Sequence, residues 1–367
     1  MGLGVLSDGL APTPPMGWNS WNRFGPFISE RLVLETADAL VATGMREAGY
    51  RYVVIDDAWH ESLRDDDGDL VENRWAFPHG IAWLADEIHR RGLRFGLYTC
   101  AGSRTCQGYP ASRGCEARDA KRFARWGVDF MKVDWCHTAG LDAPSAYRTW
   151  CDAIRAAGRP MVLSICEWGR HRPWEWAPSV GHLWRTSPDI ADTWASLVAT
   201  LDRQAELHPF AGPDHWNDPD MLEVGNGGMS DAEYRTHVSL WAMLAAPLMA
   251  GNDVREMRET TLAILTASEV LAVDQDPLGR QARRVRVEGS TELWARELAD
   301  GSRAALLLNR GEAAQRVWLT WDEVGLDPLA AMTVRDLWGR SDVGELDEGY
   351  DATLASHAAL LLKVSPS

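Results

Sequence analysis

Six cysteines in a 367-residue chain are too few to build a disulfide scaffold. They form no Cys-x-x-Cys pair, and the histidines form no His-x-His or His-Glu-x-x-His pattern beside the acids, so no metal site with nitrogen or sulfur ligands is signalled. No apolar run reaches the roughly 18 residues of a membrane span. Positive charge is scarce: Lys+Arg 37 against Asp+Glu 53 leaves −16, a field that repels phosphate backbones and excludes nucleic acid as a partner. The N-terminal stretch MGLGVLSDGLAPTPPMGW has neither a basic segment nor a long apolar one, and Gly2 is followed by Leu6 where a myristoylation signal wants Ser or Thr. The protein is therefore read as intracellular or as lacking a removed leader, with the compartment unassigned. The acidic run Asp65-Asp66-Asp67-Gly68-Asp69 lacks the Glu an EF-hand requires and reads as a solvated turn.

What is present is an ordinary globular balance, 46% apolar and 25% charged, with an unusual 19 Trp against 7 Tyr and 7 Phe. Trp fills cores, and it also offers flat faces to sugars. Short apolar runs alternate with helix-like stretches as far as residue 275. The runs are 15–21, 52–57, 94–99, 129–134, 161–166, 182–186, a weak one at 209–212, and 242–250. Residues 30–50 are expected to form one helix; 80–92, 117–127 and 144–158 end in Gly, a helix stop. Eight such units predict a (β/α)₈ barrel over residues 1–278. A doubly wound sheet would need a Gly-rich loop after the first strand, which GWNSWNRFG does not supply. Beyond residue 278 the pattern shifts to short, partly alternating runs with an Asp300-Gly301 hairpin turn. Residues 279–367 are read as a small antiparallel β-sandwich domain.

Barrel chemistry sits at the C-terminal strand ends. Those ends carry Trp18, Asp56, Asp57, Tyr98, Lys132, Asp134, Glu167, Arg185, Asp189 and Asp220. One acid alone reads as a helix cap or rim ion pair, and Asp189 in particular as the cap of the helix IADTWASLVATL. Many acids on one rim raise one another's pKa, which suits acid–base work. Carboxylates, Trp faces and a few cations are what glycoside cleavage needs. Lys132 and Asp134 are i and i+2 on a strand and point the same way, so the lysine is expected to keep Asp134 ionised. A carboxylate-only magnesium site and a non-catalytic sugar-binding protein are the competing readings.

The segments MGWNSW, VIDDAW, TCQGYP, WGVDFMKVDWC, CEW, WRTSPDI, WNDPDML and AAPLMAGND occur in this order. In them the chain resembles the α-galactosidases of glycoside hydrolase family 27, from about residue 12 to residue 280. The resemblance implies a retaining hydrolase of terminal α-galactosides that needs no cofactor and no metal, with Asp134 as nucleophile and Asp189 as acid/base. It further implies Asp56 and Asp57 on the sugar's 4- and 6-hydroxyls, Trp18 stacked on the ring, Tyr98, Lys132, Arg185 and Asp220 in the pocket, and a Cys106–Cys136 disulfide at its rim. Glu167 is expected near the 2-hydroxyl, where the family's N-acetylgalactosaminidases carry a small residue. Ala58 stands where a family Cys often follows the Asp pair, and Cys100 and Cys115 are read as buried thiols. Relatives acting on arabinopyranosides or isomalto-dextran share the barrel. Self-association is left open.

Overall fold

Runs such as Val53-Val54-Ile55 and Met131-Lys132-Val133 are rich in apolar and β-branched residues, a composition that favours strands buried on both faces. The computed structural model describes residues 6–367; Gly2, and with it the reading of a missing myristoylation signal, lies outside them. Eight strands form one parallel sheet: β1 (Met16–Asn19), β2 (Tyr52–Ile55), β3 (Arg94–Cys100), β4 (Phe130–Asp134), β5 (Val162–Cys166), β6 (Leu183–Arg185), β7 (Trp216–Asp218) and β8 (Leu248–Ala250). β8 pairs with β1, and the cylinder closes through a bridge from Leu222, just past β7, to Ala250.

Strand parity sorts the side chains. Tyr52, Val54, Phe130, Val162, Leu183 and Trp216 pack together inside the barrel, whereas Val53, Ile55, Met131, Val133, Ile165 and Trp184 join the core beneath the helices. The helices between strands have local reasons to start. Ser29, Asp142 and Thr193 cap Glu30–Ala42, Ala143–Ala157 and Trp194–Gln204, and Ser230 with Glu233 forms a capping box for Asp231–Leu244.

Three expectations are corrected. The helix predicted over 30–50 breaks at Gly44, whose φ of 78° ends Glu30–Ala42 before a short turn, Met45–Ala48. The run at 209–212 is not strand seven: His208–Phe210 is a 3₁₀ turn, and the strand is the more polar Trp216–Asp218. Within 242–250 only Leu248–Ala250 is strand, because the preceding residues end the helix Asp231–Leu244.

Beyond the barrel, β9 (Arg283–Glu288), β10 (Thr291–Glu297), β11 (Arg303–Asn309), β12 (Gln315–Thr320), β13 (Met332–Asp336), β14 (Ser341–Leu346), β15 (Gly349–Leu354) and β16 (Ala359–Pro366) pair antiparallel. Six form one sheet, in the order β14-β13-β16-β11-β10-β9, and β12 with β15 forms a second. The larger sheet is covered on both faces. Leu293, Ala305 and Leu307 pack with Val317 and Leu319 of the small sheet, while Trp294, Leu306 and Leu308 join the barrel core. That two-sided burial explains why Ala304–Leu308 is apolar without alternation. Among the described residues, no helix is long and apolar enough to cross a membrane.

Candidate active site

At the C-terminal mouth of the barrel, one cavity is lined by Trp21, Asp57, Lys132, Asp134, Trp168 and Asp189, among others. Tyr98, Lys132 and Asp134 share inward parity, with Tyr98 in register with Lys132 and Cys100 with Asp134. Asp134 is buried. Its Oδ1 accepts from the Trp135 backbone N–H at 2.8 Å, and its Oδ2 from the Tyr98 hydroxyl at 3.0 Å. Burial pushes its carboxyl up to about 6, although Lys132 pulls the other way. The lysine's hydrogen-bonded partner is Asp56, at 2.7 Å, so Lys132 favours the ionised form of Asp134 through its charge and not through a direct contact. Asp56 Oδ2 also accepts from Asn19 Nδ2 at 2.8 Å. Burial likewise raises Asp57, whose Oδ2 accepts from the Gln107 N–H at 2.9 Å.

Arg185 rises from β6 into the opposite wall. Its Nη2 lies 2.9 Å from Asp220 Oδ2 and 3.0 Å from Asp189 Oδ1. Asp220, held at φ 97°, is further fixed by the Ile190 N–H at 2.8 Å. Asp189 is exposed, and this corrects the expected raised carboxyl. Burial pushes it up, but the Arg185 charge, with Lys132 and the Arg185 hydrogen bond, outweighs that and holds it below the ordinary value. Nor is Asp189 a helix cap: the following helix starts at Trp194 and is capped by Thr193.

Two expected pocket residues face elsewhere. Trp18 is in register with outward-facing Val53; it is fully buried among the helices and donates from Nε1 to the Asn252 carbonyl at 2.9 Å. The indole at the mouth belongs to Trp21, in the turn after β1. Glu167 has the wrong parity after Cys166, which faces inward in register with Asp134. It is fully buried, and its Oε2 accepts from the His171 backbone N–H and lies 2.7 Å from His171 Nδ1. Trp168, at φ 60°, lines the cavity instead. The next residue must be Gly, since a Cβ there would lie 2.4 Å from the Thr186 carbonyl oxygen. Strand parity, read on from 162–166, was the signal that would have found Trp168; Trp21, in the helical turn after β1, lies beyond its reach.

Cys106 and Cys136 form a disulfide at the rim, and Cys106 Sγ lies 3.3 Å from Asp134 Oδ2. Cys100 is a buried free thiol and Cys115 a half-buried one. Among the described residues, one trio of potential metal ligands comes within 4.8 Å, Cys106, Cys136 and Asp134, and its sulfurs are bonded to each other. Closing a loop of 30 residues is worth roughly 3–4 kcal/mol by chain entropy. Reduction is therefore expected to lower both the melting temperature and activity, because the sulfur packs on Asp134. Full activity with two free thiols at these positions, read by mass mapping, would make the bond irrelevant to the pocket.

A family model described as alpha galactosidase A matches residues 13–276, and one described as the alpha galactosidase C-terminal beta sandwich domain matches 288–364. An alpha-galactosidase of Cyamopsis tetragonoloba is 45% identical over 99% of this chain and 88% of its own. Alpha-galactosidase A of Cellvibrio japonicus is 44% identical over 100% and 98%. The crystal structure of alpha-galactosidase I from Mortierella vinacea superposes with a TM-score of 0.96 at 36% identity, covering 99% of each chain.

Proposed function

The chain belongs to the α-galactosidase family, a hydrolase of α-galactosides that works with retention, and from that premise we propose how its side chains divide the reaction. The catalytic unit is residues 1–278, with 279–367 as its β-sandwich support. Asp134 attacks the anomeric carbon and carries the sugar as a covalent ester; Asp189 protonates the departing oxygen and then deprotonates the incoming water. Asp56, Asp57 and Lys132 take the hydroxyls at the sugar's far end, Tyr98 steadies the nucleophile, and Arg185 with Asp220 positions Asp189.

The observation that carries this reading is the contrast between the two carboxylates. Asp134 is rigid and buried, whereas Asp189 is exposed and held by one cation. Paired carboxylates in contrasting environments divide nucleophile from acid. A substrate that covers Asp189 strips its water and lifts its carboxyl against Arg185, which readies the acid. Once the leaving group departs, Arg185 again favours the ionised form, which readies the base.

With Asp134 at the anomeric carbon and Asp56, Asp57 and Lys132 on the far hydroxyls, we assign the β5-side wall, where Trp168 lines the cavity, to the sugar's C2. An N-acetyl group at C2 would collide with the indole. On p-nitrophenyl glycosides, kcat/KM for the α-galactoside is expected to exceed that for the α-N-acetylgalactosaminide by at least 10³, with the β-L-arabinopyranoside between them, roughly the selectivity a shaped, hydrogen-bonded site can give. Trp168→Ala should narrow the first ratio at least tenfold and Glu167→Gln should leave it unchanged. Equal wild-type rates on the two hexosides, or a ratio that moves with Glu167 alone, would overturn the reading.

A further inference from the structure

A cavity of about 270 Å³ lies at the seam between barrel and sandwich and shares no residue with the catalytic cavity. Sites for drug-sized ligands take roughly 300–1,000 Å³, so a ligand here is small. Strand register builds the cavity. Arg303 at the start of β11 lies opposite Glu297 at the end of β10, and Arg283 at the start of β9 lies opposite Ala295. One end of the sheet therefore gathers Arg283, Arg296 and Arg303. Arg280, just before β9, joins them, and the barrel contributes His208 from the turn before β7.

The chain carries a net charge of −16, yet here four arginines are met by one acid. Glu297 is half exposed and stands 4.0 Å from Arg303. Backbone carbonyls fix two of the guanidinium groups without neutralising them. Arg283 Nη2 donates to the Glu323 carbonyl at 3.1 Å, and Arg303 donates to the Gly301 and Gly325 carbonyls at 2.9 and 3.3 Å. Arg280 is exposed and makes no hydrogen bond among the described residues.

Arg296 is the anomaly. It is 1% exposed, bonds only the Ala242 and Asp274 carbonyls, and has no carboxylate in salt-bridge reach among the described residues. Its Nε, which can only donate, is buried without a partner, and so is His208 Nδ1. Burial pulls the guanidinium down to about 10, although Asp274 and Asp276 oppose it. A buried cation without a counter-charge is costly, and an orphaned buried donor calls for an acceptor. Guanidinium forks match tetrahedral oxyanions two hydrogen bonds at a time. Nothing in the proposed double displacement uses these groups.

We infer that this cavity binds a multivalent oxyanion of the phosphate or sulfate class, whose oxygens accept from the arginines and tie the sandwich edge to the barrel.

The test titrates inorganic phosphate into the full chain by calorimetry, with chloride holding the ionic strength constant. One saturable site with Kd below about 1 mM is expected, and sulfate should compete for it. Arg280→Gln combined with Arg283→Gln changes two exposed side chains and should raise Kd at least tenfold, as expected when two charged donors are lost. The kcat/KM of that variant on p-nitrophenyl α-galactoside should change less than twofold, which also shows that it is folded. Phosphate at a hundred times Kd should raise the wild-type melting temperature by roughly 2–4 °C above chloride of equal ionic strength. Exclusion of phosphate from protein surfaces stabilises any fold, so the rise must shrink in the double variant. Glucose 1-phosphate, titrated in parallel, tells an ester from the free ion: tenfold tighter binding assigns the oxyanion contacts to an ester, and equal or weaker binding to the free ion. No saturable phosphate binding, a Kd that the double variant leaves unchanged, or an equal melting shift in chloride would overturn the inference.

Discussion

Replacing Asp134 with Asn is expected to cut turnover by on the order of 10⁴- to 10⁶-fold, the range seen when a covalent nucleophile is removed. The same substitution is expected to raise stability. Folding lifts the Asp134 carboxyl from 3.8 to about 6, so the folded state binds this proton more tightly than the unfolded chain does. Above both values the folded protein bears the cost of a buried charge, up to about 3 kcal/mol at pH 7. Asn removes that cost and keeps an oxygen for the Trp135 N–H. The melting temperature at pH 7 should therefore rise by a few degrees, and the gain should shrink as pH falls from 6 towards 4. Because turnover needs Asp134 ionised and Asp189 protonated, one proton on the pair, and the free enzyme loses that proton as pH rises through the Asp134 value, wild-type kcat/KM should fall above about pH 6. A 2-fluoro galactosyl fluoride should label the peptide that contains Asp134. A label elsewhere, or a variant destabilised at pH 7 and still active, would refute the assignment.

Asp189→Ala should separate substrates by leaving group. Melibiose and raffinose, whose leaving oxygens need a proton, should lose roughly 10²- to 10⁴-fold. A dinitrophenyl galactoside should still galactosylate Asp134, with the phenolate leaving unaided, and give a burst, because water then lacks its base. Azide should release the trapped sugar as an α-galactosyl azide. Stability should change by less than about 1 kcal/mol, since an exposed ion pair is lost and Arg185 keeps Asp220. A loss that ignores the leaving group, without azide rescue, transfers the proton role to another carboxylate, with Asp220 first in line.

The pocket was legible where chemistry and strand parity coincide. Lys132 and Asp134 are two apart on one strand, and Asp56, Asp57, Arg185 and Asp220 stand at strand ends where a barrel places its chemistry. Trp18 and Glu167 were misread because adjacent residues on a strand face opposite layers, and a motif names a segment without naming its inward side. Trp21 escaped because it stands in the turn after β1, where strand alternation no longer governs direction. The polar strand Trp216–Asp218 was passed over for the apolar run beside it, because three residues are too short for alternation to speak. Asp189's low carboxyl depends on a guanidinium four residues away whose direction only the β6 turn determines.

The large C-terminal sheet, covered on both faces, carries a lesson about modularity. Trp294, Leu306 and Leu308 complete the barrel's own core, and the buried Arg296 donates to the Ala242 and Asp274 carbonyls of the barrel helices. A barrel severed near residue 282 would be left with an open apolar flank and an Asp274 carbonyl without its guanidinium donor, while the severed sandwich would present a matching flank of its own. Neither half is a spare part. The two parts share one core, and a chimera that grafts a foreign sandwich onto this barrel must bring that Trp, that Arg and those leucines with it.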